Sequence, residues 1–216
     1  MKNKKSMKGS VKKGVALFCT VFILLSSGYA QSNRVGVFVI PQGNFLGTLV
    51  KEWKLDLSRK EKGLLLGEGI YYEKCGDLSA FTVGMGFTQL RNTYTSDSIP
   101  GSKGTKQMDF VNILLSGTTN FYDGDQFKVG VLYGLQFHYL LKGNQDGLKM
   151  DFTDKKAYER LALTFNLGVN FTYLFTDNIG ISVIPSASLF GRSTEEEPSL
   201  YWAFGGQVRF FFAFGN

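Results

Sequence analysis

Histidine occurs once in the 216 residues, cysteine twice and proline four times. Each shortage excludes something. His138 and two distant cysteines, Cys19 and Cys75, offer none of the paired Cys/His spacings that hold a structural metal. Cys19 falls in an N-terminal leader, so Cys75 is the one cysteine of the remaining chain and an intramolecular disulfide is excluded. Phosphate-cradling glycine motifs of the GxGxxG and P-loop kinds are absent, which removes the usual nucleotide sites. Mean hydropathy is −0.04, and beyond the leader there is no long apolar run of the kind that spans a bilayer as a helix. Few prolines combine with 26 glycines and an aromatic content of 15%, a profile of strands more than helices.

The leader itself has a plain order. Lys2, Lys4, Lys5, Lys8, Lys12 and Lys13 precede the apolar run VALFCTVFILL, Val15 to Leu25, and then SSGYA places Gly28 and Ala30 at the −3 and −1 positions of a cleavage site. That is a secretory signal peptide, with export and cleavage after Ala30 expected. Bulky Phe18 before Cys19 argues against a lipoprotein signal. The division expected is therefore a signal peptide over 1–30 and a single domain over 31–216. The formal charge of +6 belongs to the leader: setting its six lysines aside leaves 18 basic residues against 18 acidic ones. With no net positive charge, a nucleic-acid partner loses its electrostatic basis.

What is present is a repeated two-row pattern. In SAFTVGMGFTQ one row reads Phe81, Val83, Met85, Phe87 and the other Ala80, Thr82, Gly84, Gly86, Thr88. FKVGVLYGLQFHYLL sets Phe127, Val129, Val131, Tyr133, Leu135, Phe137 against Lys128, Gly130, Leu132, Gly134, Gln136, His138. LALTFNLGVNFTYLF and the terminal LYWAFGGQVRFFFAFGN divide the same way. Period two sustained this long predicts strands, longer than those of most globular sheets. RVGVFVIPQ, GLLLGEGIYYEK, MDFVNILLSGTTNF and IGISVIPSASLF supply four weaker ones, making eight; Pro185 in the last predicts a local ladder irregularity. KCGD, YDGDQ and TDN are tight turns. The other connections are long and polar: Gln42 to Lys62, Arg91 to Gln107, Lys142 to Arg160 and Gly191 to Ser199.

Two environments suit such strands. A soluble lipocalin-like barrel turns its apolar row inward, and a membrane barrel turns it outward. Aromatic apolar rows, opposite rows of mostly Gly, Ala, Ser, Thr and Asn, and connections alternating short and long favour the second. The expectation is an all-β fold: an eight-stranded antiparallel up-and-down transmembrane β-barrel, with both termini and the short turns on the periplasmic side. Its small interior residues fit a lumen of that strand number.

The phrases GVLYGLQFHYLLKG and FNLGVNFTYLFTDNIGISVIPSASLF, with the signal peptide and the aromatic last strand, resemble the outer-membrane β-barrel family of Bacteroidetes, the PorT-like group. The resemblance covers most of 31–216. It implies an outer-membrane barrel and, through the namesake, a link to secretion of surface proteins, although no residue here pins that role. One departure is the end: Phe214 is followed by Gly215 and Asn216, where such barrels often finish on an aromatic residue read by the assembly machinery.

Candidate site residues follow from the rows. Trp202, Phe204, Phe210, Phe212 and Phe214 are expected to face lipid, and Arg209, Gln207, His138, Gln136, Lys128 and Asn166 the lumen. The polar set would line a narrow pore or, more in keeping with eight strands, form a plug with carboxylates such as Asp109 or Glu68. Glu68, however, shares the row of Leu64, Leu66, Ile70 and Tyr72, which implies either a bulge in that strand or a reversed facing. His138 beside the serines at 182, 186 and 188 would serve as a general base only with a nucleophile in reach, and no nucleophile motif is present. Thr194 to Pro198, TEEEP, reads as a solvated loop, because consecutive side chains on an extended chain do not converge on one ion. No cofactor and no enzymatic activity are expected. Expected partners are outer-membrane lipid, the barrel-assembly machinery and other envelope or secretion proteins. The expected role is structural, adhesive or secretion-associated through the long loops, with a narrow channel, a soluble carrier and a lipid-modifying enzyme as alternatives.

Overall fold

The computed structural model describes residues 32–50, 54–56, 62–95, 103–149, 160–192 and 199–215. Alternating rows become strands almost throughout: β1 (Ser32–Val50), β2 (Lys54–Asp56), β3 (Lys62–Cys75), β4 (Ser79–Thr95), β5 (Lys103–Asp123), β6 (Phe127–Gln145), β7 (Leu148–Lys149), β8 (Leu161–Leu174), β9 (Ile179–Arg192) and β10 (Ser199–Phe214). Eight are long. The short β2 and β7 fold back on the ends of β1 and β6. Each long strand pairs antiparallel with the next, and β10 pairs with β1, so the sheet closes as an up-and-down barrel with no free edge.

The ladders fix the shape of the barrel. Starting at Gly36 and following partners through Tyr71, Gly84, Leu114, Gln136, Thr164, Phe190 and Tyr201 returns to β1 at Leu46, ten residues further on. With eight strands, that stagger tilts them by roughly 40°. Tight turns at 76–78, 124–126 and 175–178 trim one rim. At the other rim the strands outrun expectation: β1 continues to Val50, β4 to Thr95, β6 to Gln145, and β5 starts at Lys103. The ends of β4, β5 and β6 read as loop in sequence because their apolar rows give way to polar residues, yet backbone pairing continues. The leader and the TEEEP stretch lie outside the described residues.

The facing is inside-out. On β10, Phe204 and Phe210 are 53% and 50% exposed, while Arg209 in the opposite row is 2% exposed. On β8 the odd positions, Leu161 to Tyr173, point out and the even ones point in. Aromatic rings collect at both heights of this outer band. Phe127 stacks on Phe171 and Tyr173 meets Phe175 near the short turns, and Trp202 stacks on Phe204 toward the other rim.

Glu68 departs from expectation in neither suggested way. It pairs with Val39 and Phe87 without a register break, and its side chain points outward. The strand is regular and the carboxylate stands in the apolar band. Two prolines do interrupt pairing. The β1–β10 ladder passes from Val39–Val208 to Gln42–Gly205 and omits Pro41, which keeps its partner on β3; the missing proline N–H thus falls on the β10 side. Pro185 likewise drops out of the β8–β9 ladder between Gly168–Ser186 and Phe171–Val183.

Candidate functional site: the barrel interior

The inward rows fill the lumen in layers. Nearest the short turns lies an ionic cluster built from four strands. Glu73 on β3 accepts from Arg34 Nη1 on β1 at 3.0 Å, from Thr82 Oγ1 on β4 at 2.8 Å and from Arg209 Nη1 on β10 at 3.3 Å. Arg209 Nη2 also donates to Ser116 Oγ at 3.2 Å and to Gln207 Oε1 at 3.3 Å. Aromatic faces complete the packing: the Arg34 guanidinium lies 4.4 Å from the Phe211 ring centre, and that of Arg209 5.2 Å from Tyr71. Cys75 Sγ donates to Glu73 and is a free, buried thiol.

Above this cluster Gln42 Nε2 donates to Ser186 and Ser188 Oγ at 3.1 and 3.0 Å, and Ser188 donates to Asn166 Oδ1 at 2.6 Å. Higher still, Asn112 bonds Thr88, and His138 Nε2 shares a 2.8 Å hydrogen bond with Thr164.

The layer toward the long-loop rim is mainly apolar, with Asn92 as a buried polar side chain beside it. Leu65, Leu90, Met108, Phe110, Leu140, Ala162 and Phe190 point inward from six strands and are buried, Phe110 and Leu140 at 0% exposure. Phe110, Phe190 and His138 pack mutually, with ring centres 5.3 to 5.8 Å apart. The inward rows, mostly small and polar as expected from the sequence, thus also carry large apolar side chains, and these close one end. Phe38 adds to the filling lower down. Its ring presses on Gly69, where an added Cβ would lie 2.6 Å from Phe38 Cζ and 2.2 Å from the Met85 carbonyl oxygen, so only glycine fits there.

The structure places the sequence candidates as follows. Arg209, Gln207, His138, Gln136 and Asn166 are buried in the lumen. Lys128 points inward at the short-turn rim and pairs with Asp123 at 2.5 Å. Trp202, Phe204, Phe210, Phe212 and Phe214 point outward. Neither suggested carboxylate enters the plug. Asp109 faces outward at the upper rim, where it binds Lys142 at 3.1 Å and Gln89 at 2.8 Å, and Glu68 faces the band. The plug's acid is Glu73, and Arg34 and Thr82 join it. Row parity carried that signal: Glu73 alternates with Glu68 and shares its row with Leu65 and Tyr71. His138 lies between two phenylalanine rings and hydrogen-bonds Thr164, with Asn112 opposite it on β5, and no carboxylate pairs with it among the described residues.

An apolar exterior around a filled, hydrogen-bonded lumen defines an inside-out β-barrel. No family model and no curated protein matches the chain. Among solved structures it is similar to Neisserial surface protein A, with 11% identity, 82% of this chain and 95% of that one covered, and a TM-score of 0.47. It is also similar to the outer membrane protein OprG from Pseudomonas aeruginosa, at 10% identity, 88% and 99% coverage and a TM-score of 0.44. For Ail, the attachment invasion locus protein of Yersinia pestis, the values are 12%, 84%, 99% and 0.37. The fold assignment rests on this chain's own ladders.

Proposed function

We propose that the protein is a small, non-conducting and non-catalytic outer-membrane barrel that acts through the long connections at one rim. The observation that carries this reading is the pairing of a closed apolar exterior with a blocked interior. On β10 the outward row runs from Trp202 to Phe214, and at the strand rise and tilt of such a barrel this spans roughly 25–30 Å, the height of an outer-membrane apolar band. Closure through β1–β10 leaves no open edge to face hydrocarbon. A soluble lipocalin-like carrier would need the opposite facing and an open interior.

The blocked lumen argues against a channel. An ion would have to pass both the Arg34–Glu73–Arg209 cluster and the dry layer around Phe110 and Leu140. The surroundings of His138 argue against lipid-modifying chemistry, because its ring is walled off by Phe110 and Phe190. What is left to act is the elaborated rim, with adhesion or envelope contact as its role. The secretion-associated role and the PorT-like kinship belong to this proposal through the sequence resemblance, with outer-membrane lipid and the assembly machinery as the partners.

The test is fractionation followed by single-channel recording. The protein is expected in the outer-membrane fraction, migrating faster on a gel before boiling than after, and giving no conductance steps in planar bilayers. A water-soluble fraction without the heat-dependent shift rejects the barrel in the membrane; reproducible steps from pure protein reject the plug.

A further inference from the structure

The ionic cluster does not balance. Among the described residues the buried charged side chains of the lower lumen are Arg34, Arg209 and Glu73, two guanidiniums and one carboxylate. Cys75 donates its S–H to Glu73 and adds no negative charge. Lys128 at the rim is matched by Asp123. One positive charge is left over inside a wall whose other face is apolar, and an uncompensated buried charge is costly. The polar groups left without a partner lean the same way. Among the described residues, Arg34 Nε, Arg209 Nε and Gln207 Nε2 are buried N–H donors that meet no acceptor, and the Thr118 hydroxyl is also unpaired.

Beside Arg34 and Thr118 lies a cavity of about 30 Å³ at the short-turn mouth, lined also by Lys128, Asn170 and Thr172 and on one side by Glu73, whose carboxylate oxygens already accept from Arg34, Thr82 and Arg209. Thr118 is 2% exposed and Arg34 8%. The space exceeds what a single water needs and is too small for an organic acid. Its donors come from four different strands, β1, β5, β6 and β8, so the barrel geometry itself holds them in place.

We propose that this mouth is a binding site for one small monovalent inorganic anion of chloride size, held by Arg34 Nε and the Thr118 hydroxyl, with Lys128 drawing it in from the aqueous rim. The anion neutralises the Arg34–Glu73–Arg209 cluster and completes the plug. The site depends on the interior geometry and stands apart from any role of the loops.

Two measurements on the full folded chain in detergent test it. In crystals grown with sodium bromide, an anomalous peak is expected against Arg34 and Thr118; a map with ordered Arg34 and no peak in the mouth overturns the proposal. In thermal unfolding at fixed ionic strength, replacing gluconate by chloride or bromide is expected to raise the midpoint by several degrees with saturation, because a ligand of the folded state stabilises it by mass action. Equal midpoints in the two salts overturn it. Thr118→Val is expected to raise the half-saturating chloride concentration at least five-fold. Gln207→Glu adds a carboxylate beside Arg209, balances the cluster, and is expected to remove the chloride dependence while the variant still folds by gel mobility. Unchanged dependence in both folded variants counts against the site.

Discussion

Replacing Glu73 by Gln is the sharpest perturbation of this barrel. The carboxylate is 6% exposed and receives donors from Arg34 at 3.0 Å, Thr82 at 2.8 Å and Arg209 at 3.3 Å. An amide keeps the volume and an acceptor oxygen but removes the charge, stranding two guanidiniums in the lumen. Breaking a buried pair by removing one partner costs about 3–5 kcal/mol. At 3 kcal/mol the folded-to-unfolded ratio falls on the order of 100-fold. The assay is reversible urea unfolding in lipid vesicles, followed by gel mobility and tryptophan fluorescence. Asp109→Asn is the internal control, because its partner Lys142 lies at the rim and is 71% exposed; there the expected loss is under about 1 kcal/mol. Adding Arg209→Met to Glu73→Gln should recover part of the loss, giving a coupling energy of about 2 kcal/mol or more between the two sites. If Glu73→Gln falls within about 1 kcal/mol of the parent, the cluster does not hold the barrel together and the reasoning fails.

Three further outcomes are expected. Glu68→Leu removes an outward carboxylate from the apolar band and should raise stability in vesicles by roughly 1 kcal/mol, a gain that a carboxylate exposed to water would not give. Gly69→Ala forces a methyl group against Phe38 and the Met85 carbonyl, and urea midpoints should show a loss of about 1–3 kcal/mol; an unchanged midpoint would mean that Phe38 does not press on that wall. Thinning the dry layer with Phe110→Ala and Phe190→Ala together should leave the gel shift intact and introduce brief conductance steps, whereas a silent double variant would place the barrier in the ionic cluster alone.

Strand positions and facing were legible because period two is local: Phe210 and Arg209 are adjacent in sequence and must take opposite faces. The filling of the lumen was less so. Leu132, Leu140, Phe110 and Phe190 already sat in the row opposite the greasy one, but a row read alone does not say which side chains meet across a barrel. That depends on the stagger, which brings Leu65 of β3 and Leu140 of β6 into one layer. The ionic cluster was hidden for the same reason: Arg34 and Glu73 lie 39 residues apart, and Arg209 a further 136 from Glu73. Asp109 and Glu68 are acids on strands that share their rows with outward apolar residues, and row parity turns both outward. Strand ends such as Thr95 and Lys103 could not be read, because above the apolar band the row pattern fades while hydrogen bonding continues.

Closure between β1 and β10 makes the order of strands cyclic. Asn33 stands opposite Phe214 at the short-turn rim, so the described ends of the chain meet beside each other in the ladder. Any of the turns at 76–78, 124–126 or 175–178 lies on that same rim and could become the ends instead. A circular permutant opened there and joined from 214 to 32 by a short linker would keep every rung. What distinguishes the native ends is the order of synthesis, together with the one interruption at Pro41 that the native seam already carries.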